Sequence, residues 1–218
     1  MTTLPLLLTA AIVLSAALAI QAEHRGARGR VYVFKPLATV LILLLAATAQ
    51  DPVSARYQAL VCAGLLFSLA GDVFLMLPRD RFVAGLASFL VAHGFYIAAF
   101  GSWPPTVRAP IVLLALVLVA VVLLRTLWKK LGTLRIPVVV YAVALVVMAW
   151  QAIERWEDLD TSSAGLALEG ALLFVISDAQ LAEERFAGRS RYGSVIVLAT
   201  YFAAQWLIAM SVAARPFG

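Results

Sequence analysis

The sequence predicts an all-α membrane protein, an eight-transmembrane-helix bundle, and three observations carry that reading. Of its 218 residues, 63% are hydrophobic and only 13% are charged, with a mean hydropathy of +0.96, which leaves too little polar surface for a water-soluble domain. The apolar residues fall into eight runs, at 4–22, 31–49, 57–77, 82–100, 109–127, 136–152, 163–182 and 193–212. Each is long enough, or nearly so, to cross about 30 Å of hydrocarbon at a helical rise of about 1.5 Å per residue. Little chain remains between the runs, so 1–218 reads as a single integral membrane domain.

The loop charges are lopsided. Arg25, Arg28 and Arg30, then Arg79 and Arg81, then Arg125, Lys129, Lys130 and Arg135, then Arg185, Arg189 and Arg191 follow the odd-numbered runs, while the opposite side carries Arg56, Arg108, Arg155 and Arg215. Basic loops stay in the cytoplasm, so both termini are expected outside, with Glu154–Asp160 as an acidic outer loop. The Ala, Val and Arg-rich composition suggests a multi-pass protein of a bacterial inner membrane. The net charge of +5 is scattered over short loops and forms no basic arm or stripe, which argues against nucleic acid as a partner. The single Cys62 lies in an apolar run, so neither a disulfide framework nor a thiolate cluster is expected. The first run has no basic leader and passes into Glu23, His24 and Arg25 without a clear small-residue cleavage site, so it reads as a retained helix.

Taken in order, the first run is rich in alanine and suits close helix packing. The second opens VYVFKPLATV and places Lys35 five residues beyond Arg30, about 8 Å inside the edge, where it either snorkels or serves a site. The third, LLFSLAGDVFLMLPRDRF, buries Asp72 seven residues before Arg79, and the seventh, LLFVISDAQLAEERF, buries Asp178 seven residues before Arg185. Both acids therefore sit about 10 Å below the same surface. A carboxyl group at that depth is costly, and the usual reason to find one is function. The repeated setting raises the expectation of two parallel four-helix halves with a site at their interface.

The fourth run aligns Phe89, His93, Tyr96 and Phe100 on one face at helical spacing, with His93 about 18 Å deep. A lone buried histidine bonded to a carbonyl is the bland alternative. The fifth run is a Val, Leu and Ala stretch that should face lipid. Tyr141 in the sixth lies near the depth of the acids, and the eighth places Tyr201 and Gln205 one turn apart. Polar groups deprived of water should turn inward together. The expectation is a pocket with Lys35, Asp72, Tyr141 and Asp178 near its mouth and His93, Tyr96, Tyr201 and Gln205 deeper.

Two carboxyl groups in a dry site need not share one protonation state: one can hold a proton while the other, beside Lys35, stays ionised. Hydrolysis of an enol ether or acetal-like bond needs such a pair, an acid to protonate the substrate and a base to activate water against the oxocarbenium-like cation. A zinc hydrolase wants three protein ligands, which His24 and His93 cannot supply. A two-aspartate magnesium site, completed by a substrate phosphate, stays open. No G-x-S-x-G elbow and no glycine-rich phosphate loop is present. Two other readings remain: an enzyme acting on another ether or ester lipid, and a transporter or lipid-binding protein that uses the buried acids for proton or ligand coupling.

The strings KPLAT at Lys35, GDVFLMLPRDRF at Gly71, GLASFLVAHGFYIAAF at Gly85, IPVVVYAVAL at Ile136, GALLFVISDAQLAEERF at Gly170 and YFAAQWLI at Tyr201 resemble the YhhN family of multipass membrane proteins, whose animal members are the lysoplasmalogenases. The resemblance spans nearly the whole chain. It implies hydrolysis of the vinyl ether of a lysoplasmalogen to a fatty aldehyde and a glycerophospho head group, with a lysophospholipid substrate and membrane lipids as partners; no cofactor and no resident metal are expected. It points to Asp72 and Asp178 as the catalytic pair and to Lys35, His93, Tyr96, Tyr141 and Gln205 as pocket members. It further implies that Lys35 can hold the lipid phosphate, assisted by Arg79 or Arg185 at the mouth.

Overall fold

The computed structural model describes residues 3–78, 80–101, 109–188 and 190–215; Arg79, Arg108 and Arg189 lie outside them. Among the described residues the chain forms eight α-helices: α1 (Thr3–His24), α2 (Arg28–Ala47), α3 (Ala55–Met76), α4 (Phe82–Phe100), α5 (Pro110–Leu127), α6 (Arg135–Leu159), α7 (Ser162–Ala182) and α8 (Gly193–Met210). All eight are long and apolar enough to cross a membrane.

Local chemistry sets their ends. Ser54 and Thr161 cap α3 and α7, their hydroxyls accepting from the amides of Tyr57 and Ala164, and so occupy donors that a helix start leaves bare. Pro78 forces extended backbone on Leu77 (φ −64°, ψ 145°), which stops α3. Pro137 falls in the first turn of α6, where its missing N–H costs nothing. Two exits differ from expectation. Residues Glu154–Leu159, expected in an outer loop, continue α6, since no glycine or proline interrupts them. The helix stops at Asp160 in the left-handed region (φ 43°), which aspartate tolerates. Glu154 is buried and accepts hydrogen bonds from the Trp150 indole (3.0 Å) and the Ala109 amide (2.9 Å). The stretch Glu183–Ala187, expected as a loop, is a π-helical turn extending α7.

Packing follows a repeated plan. The hairpins α1–α2, α3–α4 and α7–α8 pack along their lengths; α2 also packs on α3 and α8, while α6 packs on α7 and α4. Each helix carrying a buried aspartate thus lies beside the preceding helix and its own hairpin partner. Gly64 admits the ring of Tyr96 against α3. Gly170 admits α8 so closely that a Cβ there would lie 2.7 Å from Ile208 Cγ1 and 2.9 Å from the Ala204 carbonyl oxygen, the close approach that small residues allow. Leu75, Met76 and Leu77 of one half and Leu181 and Glu184 of the other line one cavity, so α3 and α7 end on the same side. The pattern fits two parallel four-helix halves.

Aromatic rings fill the centre. Phe174 is fully buried and contacts His93, Tyr201, Phe89 and Tyr96, with centroid distances of 4.8, 5.7, 6.3 and 6.4 Å. The periphery is apolar and exposed: α5 buries only Leu127, and Ile111 is 80% exposed. Outward aliphatic side chains of this kind suit lipid.

Candidate active site

Lys35 and Thr39 lie one turn apart on α2, facing Asp72 of α3. The Lys35 Nζ is 3.2 Å from Asp72 Oδ1, and the Thr39 hydroxyl donates to Oδ2 at 2.8 Å. From α8 the Tyr201 hydroxyl donates to the same Oδ2 at 2.7 Å. Asp72 is 1% exposed, yet both its oxygens face donors and one faces a cation, which is how a buried carboxylate is made tolerable.

Asp178 is served differently. The Tyr141 hydroxyl of α6 donates to its Oδ2 at 2.6 Å. His93 Nε2 of α4 stands 3.8 Å from the same oxygen, beyond hydrogen-bond range. The other ring nitrogen, Nδ1, is 2.6 Å from the Phe89 carbonyl. A carbonyl only accepts, so Nδ1 carries the hydrogen, and in the neutral ring the lone pair lies on Nε2. The ring is fixed edge-on between Tyr141 and Phe174, with centroids at 5.1 and 4.8 Å.

Asp72 and Asp178 open onto one cavity of about 630 Å³, together with Lys35, Tyr201 and Ser177. The volume falls in the range that holds a small amphiphile, about 300–1,000 Å³. Leu75, Leu181, Val197 and Leu198 give it apolar walls, and Asp80, Arg81, Glu184 and Arg185 stand around its mouth. There the Arg185 guanidinium donates to Asp80 at 2.5 Å and lies 4.7 Å over the Phe82 ring. That hydrogen bond, helped by the Phe82 amide at 3.2 Å, holds the Asp80 carboxyl below its usual range. The pair joins the α3–α4 loop to the end of α7.

Of the residues named from sequence, Lys35, Asp72, Asp178, Tyr201 and Arg185 line this cavity. Tyr141 and His93 stand behind Asp178, and Tyr96 and Gln205 form a buried pair of their own, the hydroxyl donating to Gln205 Oε1 at 2.7 Å. These four do not line the cavity. Arg79 is outside the described residues. Thr39 was missed. It lies in the quoted KPLAT string, but a threonine inside a membrane helix commonly bonds back to its own helix, and Thr39 also makes such a contact, 3.4 Å to the Lys35 carbonyl. Among the described residues no three His, Cys, Asp or Glu gather where a metal could sit.

An all-helical membrane bundle with two carboxyl groups in the wall of an amphiphile-sized cavity defines a class: polytopic membrane proteins with a pair of acids lining one cavity. The chain belongs to the YhhN family, which matches residues 31–212. It is 36% identical over 209 residues to the uncharacterized membrane protein YhhN of Escherichia coli O157:H7, covering 93% of this chain and 96% of that protein. It is also 34% identical to lysoplasmalogenase TMEM86B of Sus scrofa, covering 83% of this chain and 74% of the relative. With lysoplasmalogenase TMEM86A of Homo sapiens it shares 34% identity over 69% of this chain and 64% of the relative. No solved structure matches the chain.

Proposed function

We propose that the protein is a membrane-embedded hydrolase that cleaves the vinyl ether bond of lysoplasmalogens to a fatty aldehyde and a glycerophospho head group, with Asp72 and Asp178 as its acid and base. The observation that carries the reading is that both acids, distant in sequence, open onto one cavity with apolar walls and a charged mouth. An amphiphile entering from the mouth leaves its phosphate among Arg81, Arg185 and Lys35 and carries its glycerol ether toward the acids, with its tail beyond. The names of the mammalian relatives support the substrate class.

The chemistry needs two proton movements. A vinyl ether is attacked by acid at its outer carbon, which makes the carbon next to oxygen cationic. Water adds there while a base takes its proton, and the resulting hemiacetal falls apart to aldehyde and alcohol. Positioned acid and base groups supply both transfers without a metal. Purified protein in lipid nanodiscs, given 1-alkenyl, 1-alkyl and 1-acyl lysolipids of one head group, is expected to release aldehyde from the alkenyl lipid alone. Turnover of the acyl lipid without aldehyde release points to an esterase, and no turnover of any of the three removes the hydrolase reading.

A further inference from the structure

We propose that the two acids have fixed and unlike roles: Asp72 is the resting carboxylate that takes the proton of water, Asp178 is the resting acid that protonates the alkenyl carbon, and His93 is the positioning residue that keeps Asp178 in that state. The assignment rests on the hydrolase reading for its reaction, but its geometry stands alone.

Hydrogens decide it. Asp72 faces three donors: the Lys35 ammonium on Oδ1, and the Thr39 and Tyr201 hydroxyls on Oδ2. Every neighbour offers a hydrogen, so a carboxyl proton there would have to displace one of them, and the ammonium would lose its counter-charge. Around Asp178 the inventory is reversed. One hydroxyl, that of Tyr141, donates to Oδ2. His93 Nε2 also faces Oδ2, and in the neutral ring it bears the lone pair, because the Phe89 carbonyl accepts the hydrogen on Nδ1. Nε2 is fully buried and has no hydrogen-bond partner. A carboxylate at Asp178 would place its Oδ2 3.8 Å from a second acceptor, Nε2, which is buried away from the cavity and meets no hydrogen-bond donor, a costly arrangement for a buried polar atom. A carboxylic acid removes the conflict, because its O–H can point toward Nε2. The dyad therefore rests with one proton, on Asp178.

The cycle balances. Asp178 gives its proton to the outer alkenyl carbon and becomes a carboxylate. Water adds to the cationic carbon and gives a proton to Asp72, forming a hemiacetal. Asp72 returns that proton to the departing glycerol oxygen as the carbon–oxygen bond breaks, and Asp178 recovers the hemiacetal hydroxyl proton as the aldehyde forms. One water is consumed, and both acids end as they began. His93 does not line the cavity and touches no substrate; it acts through Asp178.

Infrared spectroscopy of the protein in nanodiscs at neutral pH reads the resting proton directly. The carbonyl band of a protonated carboxyl is expected in the wild type and in Asp72→Asn, absent in Asp178→Asn, shifted in Asp178→Glu and shifted in His93→Phe. In turnover, His93→Phe is expected to lower kcat about 10²-fold, the scale of one general-acid contribution, with KM near the wild-type value. His93→Gln, which keeps an acceptor, should recover part of the loss. A band that vanishes in Asp72→Asn and persists in Asp178→Asn reverses the assignment, and the absence of any such band refutes it. A His93→Phe protein with wild-type kcat and an unshifted band removes the role of His93. If the bands behave as expected but no lysolipid yields aldehyde, the hydrolase reading fails while the proton assignment survives. Aldehyde release with the band tracking Asp72 separates the two in the opposite sense.

Discussion

Lys35 and Tyr141 stand at the same separation in sequence as Asp72 and Asp178, and each faces the acid of its own half of the chain, the Lys35 Nζ 3.2 Å from Asp72 and the Tyr141 hydroxyl 2.6 Å from Asp178. Gly64 and Gly170, the contact points of the two hairpins, share that separation, as do Leu75 and Leu181 on the cavity wall. Equivalent spacing places an ammonium beside one carboxyl group and a phenol beside the other. The two acids thus share a sequence spacing and differ in the charge of the neighbour that each one faces.

The Lys35 ion pair should matter to folding as well as to turnover. Lys35→Met leaves Asp72 buried without its cation and is expected to cost about 3–5 kcal/mol of stability. Thermal unfolding in detergent measures it. Adding Asp72→Asn to Lys35→Met should recover much of the loss, because the remaining side chain no longer carries a buried charge.

Thr39→Val and Tyr201→Phe each remove one donor from Asp72 Oδ2 while keeping the shape of the side chain. Each is expected to cost about 1.5–3 kcal/mol, the worth of a hydrogen bond to a charged group, and to lower the rate of aldehyde release. The double variant should lose less than the sum, since the two hydroxyls share one oxygen. A double-mutant cycle on unfolding free energy checks this.

Gly170→Ala should destabilise the α7–α8 hairpin by about 1–3 kcal/mol, the usual cost of overpacking. The atoms in the way include the Ala204 carbonyl and the Ile208 amide, which are backbone and cannot turn aside. The Gly64→Ala variant pushes instead on the Tyr96 ring and should weaken the Tyr96–Gln205 hydrogen bond. Melting temperatures of the two variants compare the sites.

At the cavity mouth, the Asp80 carboxyl lies below its ordinary value of 3.8 because Arg185 and the Phe82 amide bond its charged form. A group lowered in the folded protein adds stability that is present above its unfolded value and is lost as pH falls through the folded one. Acidification from pH 5 downward should therefore loosen the tie between the α3–α4 loop and the end of α7. Both groups are open to solvent, so the effect is small and salt-sensitive. Amide hydrogen exchange of residues 80–88 against pH reads it, and Asp80→Asn should show the loosened exchange at every pH.

Much of the fold was legible because a membrane helix announces itself by length and hydropathy, without help from long-range contacts. Asp72 and Asp178 were legible for the converse reason, as charges set in apolar runs at equal depth. The exit of α6 was not, because Glu154, Arg155, Glu157 and Asp158 read as solvated loop, whereas Glu154 is buried against Trp150 and the Ala109 amide. Which polar side chains share a wall was also hidden. Tyr96 and Gln205 point inward as expected, but they satisfy each other, and Thr39 looked like any helix-bonded threonine. Pairing of this sort depends on helix rotation by tens of degrees, and spacing along one chain does not fix it.

The most direct test is the rate of aldehyde release from a lysoplasmalogen by wild type, Asp72→Asn and Asp178→Asn, each shown by thermal unfolding in detergent to be folded. The predicted result is turnover by the wild type and a fall of at least about 10²-fold in each variant. Turnover within a few-fold of wild type in both variants would contradict the account, since the chemistry would then lie with other groups.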